Sequence, residues 1–255
     1  MDLYESIAGK YDEVTGADGR QAPAEAMLAE LRRRHPLTRV LDVACGNGLH
    51  AMILARMGAE VTAADISRPM LDQARARAEA ARLNVQWVHA AMQNIAERVE
   101  GLVPSNAEGS FDAILCLGNS LPHLLEPRLL ARTLAGFARL LAPDGVVALG
   151  LLNFARVLDR EERIVGVTRR GDREFIRFYD FLEDLVRFNV LTLDFSAGQC
   201  KHEITSTLLH PYTPAEVAAA CESAGLSRFD LFAGTAFEPF DERQSDTLTV
   251  IAAKP

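Results

Sequence analysis

Two stretches of this chain carry residue types suited to chemistry on a bound small molecule. The first is "LDVACGNG", Leu41 to Gly48, together with Asp65 at the end of "EVTAAD". Gly46 and Gly48 allow a tight backbone turn and let a ligand come into van der Waals contact with the chain. An acid closing the next apolar run can accept both hydroxyl hydrogens of a ribose. A lone G-x-G says little, because any tight strand-to-helix turn calls for glycine. With the acid in place, the pair points to a nucleoside ligand.

The second stretch is "CLGNSLPHL", Cys116 to Leu124. An apolar run, "FDAILCL", breaks abruptly into Gly118, Asn119 and Ser120, with Pro122 and His123 close behind. Polar groups at the mouth of a buried strand are what a ligand site in an α/β sheet requires. His123 is placed to hydrogen-bond a cofactor group. His50, His89 and His210 read as structural.

The nucleoside is not a dinucleotide or a triphosphate. A pyrophosphate site carries a third glycine for close helix packing, and here that region is Leu49, His50 and Ala51. There is no G-K-[ST] phosphate cradle either. A cofactor without phosphates fits better.

The elements that must position these residues follow from hydrophobic periodicity. Helices are expected over 23–34, 47–58, 68–83 and 126–145, and short apolar strands over 39–45, 60–65, 85–90, 111–117 and 146–152. This alternation calls for a parallel sheet with helices on both faces. After Phe154 the pattern changes to period two, with aromatic and arginine-rich runs such as "EFIRFYDFLEDLVRFNVLTLDF", which predicts antiparallel strands. A helix over 213–225 opens with Thr213 as cap and Pro214 at its first position, and two closing strands follow. The expected architecture is a doubly wound, mostly parallel seven-stranded α/β sheet, Rossmann-like, with an antiparallel insertion. Its parts are an N-terminal cap segment and helix (1–36), a cofactor-binding core (37–154), an insertion forming a substrate subdomain (155–211), and a closing helix and strands (212–255).

Composition sets outer limits. The chain has 255 residues, 49% hydrophobic and 24% charged, with a formal net charge of −8, which argues against a nucleic-acid backbone as partner. No apolar run is long enough to span a bilayer. The N-terminal residues lack the basic-then-apolar pattern of a signal peptide, and Cys45, Cys116, Cys200 and Cys221 lie far apart in no metal-like spacing. A cytoplasmic protein with reduced thiols and no metal is expected.

"VLDVACGNG", "AADIS" and "GSFDAILCLGNSLPHL" resemble the successive motifs of class I S-adenosylmethionine-dependent methyltransferases. "DVACG" with "CLGNSLPHL" resembles more narrowly the glycine N-methyltransferase and glycine/sarcosine methyltransferase family. The likeness covers roughly the first 155 residues well and the rest poorly. It implies S-adenosyl-L-methionine as cofactor, with Asp42, the Ala44–Gly46 backbone, Asp65, Ile66, Met92, Leu117 and His123 around it. Arg20 would pair with the methionine carboxylate, and Tyr4 and Tyr11 would close over the site. Asn119 would face the methyl acceptor, its amide oxygen receiving an N–H or O–H.

One departure bears on the substrate. Glycine-binding members carry an arginine before an Asn–aromatic pair just after the fifth strand; here the pair is Asn153–Phe154 and Leu152 precedes it. A tyrosine of that family also corresponds to Phe195. Without the guanidinium a substrate carboxylate lacks its bidentate partner, which argues against glycine. The insertion is rich in cations, from Arg163, Arg169, Arg170 and Arg173 to Arg177, Arg187 and Lys201, of which one or two could reach the site.

The expected reaction is methyl transfer to a small acceptor, driven by in-line positioning and exclusion of water. An amine acceptor is favoured, because a hydroxyl would need a general base and the sequence shows no sure one. The alternatives are an O-methyltransferase of a larger metabolite and a cofactor-binding module without transfer activity. Oligomeric state is left open.

Overall fold

The computed structural model describes residues 9, 13–14, 19–100, 111–196 and 198–254. Tyr4 and Tyr11 lie outside them. In chain order the elements of the first half are α1 (Gln21–Arg34), β1 (Arg39–Val43), α2 (Leu49–Arg56), β2 (Glu60–Asp65), α3 (Arg68–Ala80), β3 (Gln86–His89), α4 (Ile95–Val99), β4 (Phe111–Cys116), α5 (Pro127–Leu140) and β5 (Leu141–Leu152). Then come α6 (Phe154–Asp159), β6 (Ile164–Arg170), β7 (Arg173–Phe181), β8 (Val186–Asp194), β9 (Lys201–Leu209), α7 (Pro214–Ser223), β10 (Arg228–Ala233), β11 (Glu238–Pro239) and β12 (Thr247–Ala253).

One sheet has the order β11-β10-β12-β5-β4-β1-β2-β3. Strands β5, β4, β1, β2 and β3 run parallel, while β12 pairs antiparallel with β5, and β10 with β12. The sheet therefore has eight strands rather than seven. The extra one is the two-residue edge strand β11, too short to show a period in sequence.

The central strands read as continuous apolar runs because both of their faces are buried. On one face Leu41, Val43 and Ile114 pack with Leu134 and Phe137 of α5 and with Val217 and Cys221 of α7. On the other, Val40, Ala113 and Leu115 pack with Leu28 and Leu31 of α1 and with Ile53 and Leu54 of α2. Chain order reverses between β1 and β4, so the crevice beyond their C-terminal ends is the topological switch point where such sheets bind ligands.

Helix α5 ends at Leu140, five residues short of the sequence expectation. Pro143 cannot donate to a helix and disfavours helical backbone at Ala142 before it, so the chain is already extended from Leu141 and turns through Asp144 at φ 59°. Helix α7 starts on a capping box: Thr213 Oγ1 accepts from Glu216 N, and Glu216 Oε2 accepts from Thr213 N at 2.8 Å. The short α6, capped by Asn153, was not legible in the sequence.

Strands β6 to β9 form a separate antiparallel sheet in sequential order. Tyr179, Val186 and Leu209 of this sheet cluster with Phe154 and Val157 of α6, and the Tyr179 and Phe188 rings meet at 5.7 Å. Strand β9 is one of its two edge strands, and the chain leaving it is tied to the loop after β4. His210 N donates to Pro122 O at 2.7 Å, and the Tyr212 hydroxyl donates to Leu124 O.

Candidate active site

The loop after β1 is built from left-handed backbone. Ala44, Gly46 and Gly48 have φ of 56°, 54° and 82°. The two glycines serve different ends. A Cβ on Gly48 would lie 2.9 Å from both Ala74 Cβ and the Trp87 ring, so this glycine lets α2 start hard against α3 and β3. A Cβ on Gly46 would meet no heavy atom within 4 Å. Only Gly46 presents open space for a ligand.

Asp65 stitches this loop to β2. Its Oδ2 accepts Gly46 N and its Oδ1 accepts Ser67 N, both at 2.8 Å. A carboxylate offers about four lone-pair sites, so two backbone bonds do not saturate it. His89 Nε2 contacts Ile66 O at 2.8 Å and holds the next residue in place. Ile66 itself is 56% exposed, on the cavity wall.

The loop after β4 is fixed from β5. Asn119, at φ 65°, donates its N–H to Gly150 O and receives Leu152 N on its side-chain oxygen at 2.9 Å. Ser120 Oγ donates to Leu117 O. Gly150 permits the close approach, since a Cβ there would lie 3.2 Å from the Leu117 side chain.

Between these loops and β9 lies a cavity of about 540 Å³, within the ~300–1,000 Å³ usual for small-molecule sites. Of the residues expected from sequence, Arg20, Ala44, Gly46, Asp65, Ile66, Met92, Leu117 and His123 all line it. Two do not. Asn119 is absent from the wall although Gly118 and Ser120 are on it, and its amide oxygen holds Leu152 N. That bond shapes the turn and leaves the amide oxygen a second lone pair.

Asp42 is the other. It is 1% exposed and sits behind the loop rather than on the cavity, because its position on β1 turns it into the layer beneath α2. Its Oδ2 has no hydrogen-bond partner, and the Ala51 N–H supports the carboxyl. Burial first, and then the Asp65 charge, push its pKa up to about 7.

The cavity also has members the sequence did not single out. Asn47 and Gln93 lie on it, as does His50, which the sequence reads as structural and whose pKa is pushed down to about 4 by burial and then by the Arg20 charge, keeping the imidazole neutral. Ser206, Thr207 and Leu208 of β9 supply the far wall. None of the seven insertion cations does. Arg163 lies over the Phe181 ring, Arg173 pairs with Asp194 and Glu13, and Arg187 pairs with Asp180. Leu152 packs with the Phe154–Tyr179 cluster, and Phe195 lies past the end of β8, 40% exposed. Cys45, Cys116 and Cys221 are buried thiols whose pKa values burial raises. Among the described residues no helix is long and apolar enough to cross a membrane, and no group of three or more His, Cys, Asp or Glu could hold a metal ion.

Comparison with known proteins agrees with this geometry. A family model described as a methyltransferase domain matches residues 40–145. A glycine/sarcosine N-methyltransferase of Halorhodospira halochloris is 32% identical over 164 residues, covering 62% of this chain and 56% of that protein. The match thus spans about half the length of such relatives. A ubiquinone biosynthesis O-methyltransferase of Xanthomonas oryzae pv. oryzae (strain PXO99A) is 31% identical over 189 residues, covering 70% of this chain and 73% of that protein. In fold, the CcbJ methyltransferase of Streptomyces caelestis superposes with a TM-score of 0.79 at 23% identity, covering 100% and 99% of the two chains. The crevice at the switch point, stitched by Asp65, therefore sits on a shared scaffold: the chain belongs to the class I S-adenosylmethionine-dependent methyltransferases.

Proposed function

We propose that this protein transfers a methyl group from S-adenosylmethionine to the nitrogen of a small-molecule acceptor. The observation that carries this reading is the single cavity joining the Ala44–Gly46 loop and Asp65 to the loop after β4 and to β9. The residues fit the cofactor: open space at Gly46 accommodates its amino-acid part, Asp65 accepts the ribose hydroxyls, and Ile66 and Met92 flank the adenine. Arg20, on the same wall, pairs with the carboxylate. When bound, the cofactor supplies an electrophilic methyl on sulfur, whose C–S bond breaks as the C–N bond forms, leaving a neutral thioether.

The chain's own contribution is to position and to exclude water. The acceptor nitrogen arrives uncharged, takes on the positive charge with the methyl group, and releases a proton to solvent. No strong base is needed. This matters because two of the wall's candidate bases are poor ones, His50 at a pKa of about 4 and Asp65 accepting two backbone amides, which leaves His123. The lack of an insertion arginine on the wall, with Leu152 packed elsewhere, supports an acceptor other than glycine.

O-methylation of a larger metabolite is the second reading, favoured by His123 on the cavity wall and by the likeness to the Xanthomonas O-methyltransferase. The pH dependence separates them. With an amine acceptor, the rate follows deprotonation of the acceptor and changes with the amine chosen. With a hydroxyl acceptor, it follows an enzyme group and is abolished by His123→Ala. A panel of small amines, glycine included, and their hydroxyl counterparts, scored by release of S-adenosylhomocysteine, tests the proposal. Turnover of hydroxyl compounds alone would defeat it.

A further inference from the structure

The far wall of the cavity contains a hydrogen-bond chain whose direction is fixed from outside. Ser206 Oγ donates to Asn189 Oδ1 at 2.6 Å. Asn189 Nδ2 donates to Asp180 Oδ2 at 3.0 Å and to Arg187 O at 3.4 Å. Asp180 in turn lies 3.9 Å from the Arg187 guanidinium. These partners come from adjacent strands in register: Asn189 of β8 faces Ser206 of β9, and Arg187 of β8 faces Asp180 of β7.

Each link dictates the next. A carboxylate and a carbonyl only accept, so the Asn189 amide must point its N–H groups at them. Asn189 is 2% exposed and has no water-facing alternative, so its oxygen is left for Ser206. A hydroxyl has one hydrogen, and that of Ser206 goes to this oxygen. Ser206 can therefore offer the cavity only lone pairs, made more electron-rich by a chain ending on a carboxylate.

Resting on the reading of this site as a methyltransferase, we infer that Ser206 is the acceptor-recognition residue, a hydrogen-bond acceptor that selects an N–H-bearing amine. Asn189 and Asp180 act through it as positioning residues. Such a wall favours primary and secondary amines over tertiary amines and ethers, which bring no hydrogen. It also gives the arginine-rich insertion a role that does not require any of its cations to enter the cavity.

The test uses the full chain, S-adenosylhomocysteine as cofactor probe, and a panel of small primary, secondary and tertiary amines as acceptor probes. Calorimetry first measures S-adenosylhomocysteine affinity in wild type and Ser206→Ala. No binding by wild type defeats the methyltransferase reading itself. With binding intact, Ser206→Ala should leave that affinity unchanged while lowering the melting temperature by a few degrees, because the buried Asn189 oxygen loses its donor. It should raise KM for the amine that wild type turns over by roughly tenfold, the worth of one hydrogen bond, with little change in kcat. Ser206→Thr, which keeps the hydroxyl, should restore KM. An unchanged KM in Ser206→Ala overturns the inference while leaving methyl transfer standing. So does wild-type turnover of tertiary amines alone, or of no amine in the panel despite cofactor binding.

Discussion

Asp65 Oδ2 accepts the backbone N–H of Gly46 at 2.8 Å, so the acid closing β2 also holds the loop leaving β1. In the proposed site, ribose recognition and loop geometry share this one carboxylate. Asp65→Ala should weaken S-adenosylhomocysteine binding by about 1–3 kcal/mol, the penalty for leaving hydroxyls and an amide without their acceptor. Calorimetry checks this, and unaltered affinity in the variant would contradict it. NAD should not bind the wild type.

The two glycines of that loop should separate in the same assay. Gly46→Ala meets no neighbour and should lower stability by only about 1 kcal/mol, from its left-handed backbone. It should nonetheless weaken S-adenosylhomocysteine at least about tenfold, since a methyl would occupy ligand space. Gly48→Ala drives a methyl into Trp87 and Ala74 and should lower stability by about 2–4 kcal/mol. Denaturant melts alongside calorimetry show whether the effects divide this way.

Asn119 gives a third test. Ala and Gly substitutions both leave Leu152 N–H without its acceptor, at about 1–3 kcal/mol. Gly avoids the further penalty of a left-handed β-carbon, so Asn119→Gly should be more stable than Asn119→Ala by about 1 kcal/mol. Melting curves decide. A loss of turnover in Asn119→Ala at unchanged melting temperature would instead return this residue to direct contact with the acceptor.

Asp42 makes a statement about pH. Its folded pKa of about 7 lies above its ordinary 3.8, so the folded state holds the proton more tightly than the unfolded chain does. The resulting stability is complete below about pH 4 and is lost as pH rises through about 7. Asp42→Asn removes the titration. Between pH 5 and 8 the wild type should therefore lose stability relative to this variant, by at most about 4 kcal/mol for a shift of this size. Urea melts at several pH values measure the divergence, and parallel profiles would show that the acid is not perturbed.

The sequence alone determined the parallel half of the fold and much of the cavity wall. Strands β1, β2 and β4 are largely apolar and buried on both faces, and such a run bounded by glycine and an acid has few other readings. Ala44, Gly46, Asp65 and Leu117 fall at the ends of those strands, so placing the strands places them. Asp42 and Asn119 escaped this logic. Both lie within a residue or two of true wall positions, and which way a side chain turns depends on what it finds: a buried layer under α2 for one, the Leu152 amide for the other. The far wall of the cavity was beyond reach for a different reason. Ser206 sits in "KHEITSTLL", a run whose polar residues look solvated in one dimension. Only pairing of β9 with β8 sets Asn189 beside it, and only tertiary packing carries that edge strand over to the cofactor loops.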